Sequence, residues 1–307
     1  MGQRRRPAGL AVLALVALVA TGCGGGSSGP GRRATLLLDF TPNAVHAGIY
    51  AALARRYDRA AGVRLTVQQP SASADAVKLL VAGRTDLAVL DVHDLALARA
   101  KGADLVGVLA LVQRPLAAVL AQPAVSSPRA LEGARVGVTG VPSDDAVLRS
   151  IVRGAGGDPG RVRTVTIGFN AVPALLARRV AGATAFWDVE GVALRRRRPG
   201  IREFRVDSYG APSYPELVVC ATRATLRSRR ALVERVLAAL RRGYAWAIAH
   251  PAGAVRDLVV ASPGLDSTLT AAELAAVRPA FTSPGGRFGA LDPARLRAWA
   301  AWDVRFG

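Results

Sequence analysis

Five short stretches of this sequence set carboxylates beside aromatic rings or beside residues that start helices. They are Asp39-Phe40-Thr41-Pro42-Asn43-Ala44-Val45-His46, Asp91-Val92-His93-Asp94, Thr139-Gly140-Val141-Pro142-Ser143-Asp144-Asp145, Trp187-Asp188-Val189-Glu190, and the 207–215 loop with Tyr209 and Tyr214. Each follows a short apolar run. In open α/β sheets, ligands gather where strand gives way to helix. Carboxylates there accept charge-assisted hydrogen bonds from amino groups or protonated ring nitrogens, and Phe40, Trp187, Tyr209 and Tyr214 offer flat faces for a ring. The chemistry expected of Asp39, Asp91, Gly140, Ser143, Asp144 and Glu190 with those aromatics is capture of a neutral or weakly cationic heterocycle. Each position also has a structural reading. Asn43 and Asp144 suit helix N-caps, Asp145 suits a first helical turn, Gly140 suits a turn, and His46 either faces the cleft or is a satisfied core histidine.

Signatures of turnover are missing. The three histidines, His46, His93 and His250, have no metal-ligand spacing, and no nucleophile elbow, P-loop or dinucleotide fingerprint occurs. Two cysteines, Cys23 and Cys220, allow neither a disulfide framework nor a cysteine metal cluster. Cys220, in an apolar run, reads as a small buried hydrophobe. The expectation is a binding protein with no catalytic residue, cofactor or metal.

The elements that must position these residues alternate. Apolar runs at 34–38, 63–68, 87–90, 105–112, 119–121, 136–138, 162–166, 183–186, 203–206 and 218–221 read as strands. Helical periodicity appears between them, at 45–60, 73–82, 94–100, 144–154 and 172–180. From 228 onward the pattern is mostly helical. Such alternation predicts an α/β protein with mainly parallel sheets covered on both faces. Two apolar stretches, near 116–123 and 217–222, read as crossover strands between two lobes. The predicted division is 34–120 with 220–307 as lobe 1 and 121–219 as lobe 2, with ligand in the interlobe cleft.

At the start, Arg4 to Arg6 precede an apolar run from Leu10 to Ala20, then Thr21, Gly22 and Cys23. The run is shorter than the ~20 residues a membrane-spanning helix needs and reads as an export signal over 1–22. It resembles the bacterial lipobox, with Cys23 as the lipid attachment point. The Gly- and Ser-rich stretch 23–33 is a flexible tether. The chain is expected to be extracytoplasmic and lipid-anchored to the cell membrane. A formal net charge of +19 invites a nucleic-acid reading. The excess is dispersed arginine with no interleaved aromatics to stack bases, so no nucleic-acid partner is expected.

The stretch LDFTPNAVHAGIYAA at 38–52 resembles the opening motif of the extracytoplasmic solute-binding proteins for thiamine pyrimidine precursors. LARAKGADLVGVLALVQRP, VGVTGVPSDDAVLRSIV, VTIGFNAVPALL and FRVDSYGAPSYPELVV are similar to later family segments in the same order. The resemblance implies a type II periplasmic-binding-protein fold, two lobes joined by two crossover strands. It implies a monomer that hands ligand to an ABC permease and its ATPase. It carries Asp39, Asn43 and His46 onto the opening motif, with Phe40 where tryptophan is common, and Glu190 onto a ligand-facing glutamate. The implied ligand is formylaminopyrimidine or hydroxymethylpyrimidine. Riboflavin, as in relatives, is the alternative, and a more distant resemblance is to the enzyme that synthesises the thiamine pyrimidine.

Overall fold

The computed structural model describes residues 1–2, 32–72, 75–141, 143–283 and 285–306. The export signal, Cys23 and most of the tether lie outside the described residues. Strand β1 (Arg33–Leu37) leads through a 3-10 turn to α1 (Ala47–Ala54) and α2 (Tyr57–Ala60). There follow β2 (Arg64–Gln68), α3 (Asp75–Val81), β3 (Leu87–Asp91), α4 (Val92–Ala100) and β4 (Leu105–Ala110). The second lobe holds β5 (Ala117–Ala121), β6 (Arg135–Val138), α5 (Ser143–Gly154), β7 (Arg163–Thr166), α6 (Ala171–Leu176), β8 (Gly182–Phe186), α7 (Glu190–Arg197) and β9 (Arg202–Arg205). The chain then returns through β10 (Leu217–Thr222) to α8 (Arg223–Ser228), α9 (Arg230–Ala249), α10 (Pro251–Ala261), α11 (Ser267–Val277) and α12 (Pro293–Phe306).

Two five-stranded sheets result, ordered β2-β1-β3-β10-β4 and β7-β6-β8-β5-β9. In the first, β1 runs parallel to β2 and β3 while β10 is antiparallel to β3 and β4. In the second, β6 runs parallel to β7 and β8 while β5 is antiparallel to β8 and β9. Each sheet is therefore parallel except at the strand that enters from the other lobe. The predicted boundaries at 120/121 and 219/220 cut through these entering strands: β5 lies wholly in the second sheet and β10 wholly in the first. The reason is local. Pro115 and Pro215 cannot donate to a ladder, so each precedes its strand and marks where pairing begins.

Long apolar runs become strands buried on both faces: β5 is buried throughout, as is β10 except at Thr222. The helix predicted over 45–60 is divided, because Arg56 adopts a left-handed conformation (φ 56°) between α1 and α2. Helix α1 packs against α9 at unusually close approach. A Cβ on Gly48 would overlap the Tyr244 ring, and one on Gly243 would overlap the Gly48 carbonyl. Glycine at both positions is what lets the helices touch.

The late helices were expected to complete lobe 1. Helices α9 and α10 pack on α1, but α12 packs on α5 of the second lobe. Trp299 and Trp302 bury its apolar face against Tyr214 and the second-lobe core. Arg295 of α12 also donates to Gln113 Oε1 at 3.1 Å in one crossover and to Ser213 Oγ at 2.9 Å in the other. None of the described helices is long and apolar enough to cross a membrane.

Candidate functional site

A cleft of about 430 Å³ opens between the carboxyl ends of the two sheets. Lobe 1 contributes Asp39 and Phe40 after β1, and Asp91 and Asp94 at the start of α4. Lobe 2 contributes Thr139, Ser143 and Asp144 after β6, Phe169 after β7, Phe186 at the end of β8 and Glu190 just beyond it. Four of the five stretches singled out in the sequence thus reach one cleft. The 207–215 loop does not.

The opening motif is built to hold Asp39. Asn43 Oδ1 accepts from the Val45 N–H at 2.9 Å, and the Asn43 N–H donates to His46 Nδ1 at 3.2 Å, a reciprocal capping box. With Nδ1 engaged as acceptor, the ring proton sits on Nε2 and is donated to Asp39 Oδ1 at 2.9 Å. His46 is fully buried and, like Asn43, lies behind the cleft wall. Both residues position Asp39 at the cleft and do not line it.

Asp144 is similarly engaged. Its Oδ2 accepts from Thr139 Oγ1 at 2.9 Å and from the Gly140 N–H at 2.8 Å, and its Oδ1 accepts from Thr184 Oγ1. Gly140 sits at φ 92°, in the left-handed region that favours glycine, and shapes the loop from outside the cleft lining. The Ser143 N–H donates across the cleft to Asp94 Oδ1 at 3.3 Å, so a lobe-1 carboxylate takes the first N–H of α5. Asp94 is pushed up to about 6, chiefly by burial.

The aromatic slot differs from expectation. Phe40 and Phe169 meet edge-to-face from opposite lobes, ring centroids 4.3 Å apart and 68° between planes. Phe186 completes the wall. Trp187, one residue on, points away: its indole N–H donates to the Pro115 carbonyl at 3.0 Å, and the Arg205 guanidinium covers its ring at 4.0 Å. Tyr209 packs edge-on against Phe204 at 6.2 Å, on the outer side of lobe 2. Tyr214 is fully buried and its hydroxyl meets His93 Nε2 at 3.1 Å. Alternation along β8 exchanges Trp187 for Phe186. Phe169 carried a usable signal, since it too stands where a strand gives way to a helix. Asp94 stood in a stretch already singled out.

Glu190 is the buried carboxyl at the centre of the site. Burial pushes it up to about 7, and its Oε2 accepts from the Phe186 N–H at 3.2 Å. Glu273 of α11 is raised to about 8 by burial and by Glu190, and Asp188 stands well above the usual carboxylate range for the same two reasons. On the other side, Asp91 is raised far above its ordinary value by burial and by Glu216, itself pushed to about 7 by burial. Glu216 Oε2 accepts from the Leu116 N–H at 2.9 Å, joining the two crossovers. Asp91, His93 and Glu216 are close enough to share a metal ion. However, His93 has both nitrogens engaged, by Asp303 at 2.7 Å and Tyr214 at 3.1 Å. The two carboxyls form a buried pair that favours a shared proton.

With this geometry in view, the family described as NMT1/THI5 like matches residues 43–254. The chain belongs to that family. It is 28% identical over 274 residues to the formylaminopyrimidine-binding protein of Halalkalibacterium halodurans, covering 87% of this chain and 83% of that one. It is 25% identical over 242 residues to the 4-amino-5-hydroxymethyl-2-methylpyrimidine phosphate synthase of Legionella pneumophila, covering 77% and 76%. Among solved structures, the alkanesulfonate-binding protein SsuA of Xanthomonas axonopodis pv. citri bound to MOPS superposes with a TM-score of 0.71. The identity is 18%, with 88% of this chain and 90% of that one covered. The fold is that of the type II periplasmic binding proteins, two α/β lobes about a cleft.

Proposed function

We propose that the chain is the solute-binding component of an ABC importer, and that its ligand is a thiamine pyrimidine precursor, formylaminopyrimidine or hydroxymethylpyrimidine. The observation that carries the reading is Glu190, a buried cleft carboxyl raised to about 7. Near neutral pH it exchanges readily between donor and acceptor forms. An aminopyrimidine presents an amino donor beside a ring nitrogen that can hold a proton, the edge such a carboxyl matches with charge-assisted bonds. Phe40 and Phe169, in edge-to-face contact across the lobes, would part or stack on one side to take the ring. Similarity to the Halalkalibacterium halodurans protein supports the same ligand.

The electrostatics argue against an anionic head group at α5. A bare helix N-terminus attracts phosphate or sulfonate, but Ser143 N–H is taken by Asp94, and Asp144 and Asp145 fill the first turn. Ligand capture would close the lobes about the two crossovers, and the closed form would engage the permease. Anchoring through a lipid on Cys23 belongs to the same proposal, keeping the cleft near its transporter. A second reading, a larger heterocycle such as riboflavin, is supported by the cleft volume of about 430 Å³, which exceeds what one six-membered ring fills.

Titration calorimetry with formylaminopyrimidine, hydroxymethylpyrimidine, riboflavin and an alkanesulfonate tests the reading. A pyrimidine should bind most tightly, and Glu190→Gln should weaken it about a hundredfold, the loss of charge-assisted bonds worth ~1.5–3 kcal/mol. Binding of the sulfonate with no heat from either pyrimidine would overturn it. Consumption of a pyrimidine or of pyridoxal phosphate by the purified protein would favour the synthase instead.

A further inference from the structure

The chain carries 41 cationic side chains, of which two, Lys78 and Lys101, are lysines and 39 are arginines. Both lysines line the mouth of the cleft, and no arginine lines it. Neither ammonium group makes a hydrogen bond or a close ion pair among the described residues, although the Lys78 charge is felt by Asp75 one turn away on α3. Many surface arginines, by contrast, are paired. A cation at the end of α4 also suits the helix dipole. An arginine would serve that purpose equally, and arginine is what this chain uses almost everywhere else.

Lys101 stands at one end of an ordered stripe. Asp94, Leu97, Ala98 and Lys101 all line the cleft, and their spacing of three, four and seven places them on one face of α4. At 1.5 Å per residue the backbone positions of Asp94 and Lys101 are about 10 Å apart along the helix axis. Ala76, Val77 and Lys78 of α3 line the same cleft. The wall therefore reads acid, apolar, cation, and the acid end is the one that faces the lobe-2 loop through Ser143.

We infer that the cleft also takes a bipolar ligand beyond the two simple pyrimidines: a basic amino-heterocycle at the carboxyl end, carrying an anionic substituent (carboxylate or phosphate) held by Lys78 and Lys101. This goes beyond the proposed function and rests on its assignment of the heterocyclic head. It adds a subsite for a tail at the mouth, and it accounts for a cleft larger than one ring. Lysine suits that place. Its compact charge on a flexible stem can follow a tail that the rigid guanidinium fork would have to meet at fixed geometry.

The test uses three N-acyl derivatives of 4-amino-5-aminomethyl-2-methylpyrimidine: formyl, butyryl and succinyl. The last two are similar in length and differ in whether the chain ends in a methyl or a carboxylate. Calorimetry on the full protein at low salt should show the succinyl compound binding at least fivefold tighter than the butyryl compound. That ratio should shrink as salt is raised, because mouth charges are screened. It should fall to about one in a Lys78→Met, Lys101→Met double variant and survive in Lys78→Arg, Lys101→Arg. A ratio near one in the unmodified protein, or a ratio kept by the methionine variant, overturns the subsite while binding of the formyl compound leaves the head assignment standing. No binding by any of the three overturns the head assignment, and the subsite with it.

Discussion

Two aromatic clusters lie at the strand ends of this molecule, and they are made of different residues. In the cleft, Phe40, Phe169 and Phe186 present rings without polar atoms, half-buried and open to a ligand. Behind it, Tyr214, Trp299 and Trp302 surround His93 with centroids 5.1–5.4 Å away. In this second cluster the Tyr214 hydroxyl and the Trp299 indole N–H both meet His93. A buried Tyr or Trp usually finds a partner for its polar tip. Tyr214 and Trp299 find theirs in His93, and that network joins α4, the second crossover and α12. Trp302, whose buried indole N–H has no partner among the described residues, contributes by packing. Phenylalanine has no such demand and is free to shift when a ligand arrives. One cluster holds the lobes' connection together, and in the other Phe40 and Phe169 touch each other until a ring parts them.

The sharpest way to break this division is Trp302→Ala. Removing a large buried side chain costs ~3–5 kcal/mol, so melting should fall by roughly 10 °C while affinity for the pyrimidine changes less than threefold. Calorimetry and thermal melts on the same sample decide it. If affinity collapses while melting is unchanged, the roles assigned to the two clusters are reversed.

Titration separates the two regions next. Glu190 and Glu216 are held at about 7 and Glu273 at about 8, against an ordinary 4.5, and Asp94 at about 6 against 3.8. Above the ordinary values the unfolded chain has released protons that the folded chain still holds. Folding is therefore favoured most below about pH 4.5, and that advantage is lost as pH rises through 6 to 8, with Glu190 alone worth on the order of 3 kcal/mol. Melting temperature of the free protein should drop between pH 5 and pH 8. Saturating formylaminopyrimidine should reduce the drop by favouring the charged form of Glu190, and Glu190→Gln should reduce it without ligand. A melting temperature that rises over this range contradicts the assignment.

The smallest effect is expected at the slot itself. Phe169→Ala should weaken ligand binding about five- to tenfold, in line with stacking worth ~0.5–1.5 kcal/mol, and shift melting by only a few degrees. An affinity equal to that of the unmodified protein would remove Phe169 from the site.

Much of this was legible before any coordinates. Alternating apolar runs and helical periodicity give the two-lobed α/β architecture, and the carboxylates at Asp39, Asp91, Asp144 and Glu190 reach the cleft because strand ends converge there. What failed was direction and partnership. Whether Phe186 or Trp187 faces the ligand depends on the phase of β8, which one residue reverses. Tyr214 was visible as an aromatic near a crossover, but its partner His93 lies 121 residues away in sequence. The spacing of Trp299 and Trp302 predicts an apolar helix face without saying which lobe covers it. Of its two readings His46 proved to be the satisfied core histidine, and its ring N–H holds a cleft carboxylate. Lys78 and Lys101 were plain as the two lysines of an arginine-rich chain, and only the fold brings them to one opening.

That scarcity of lysine has a practical side. Succinimidyl esters are attacked by the deprotonated ε-amine of lysine and leave arginine untouched. On this chain the ε-amines available to them are those of Lys78 and Lys101, so, the terminal amine aside, a succinimidyl dye would be delivered to the cleft mouth without any engineered cysteine. Closure around a ligand would change the dye's surroundings, and the natural sequence would serve as its own fluorescent reporter.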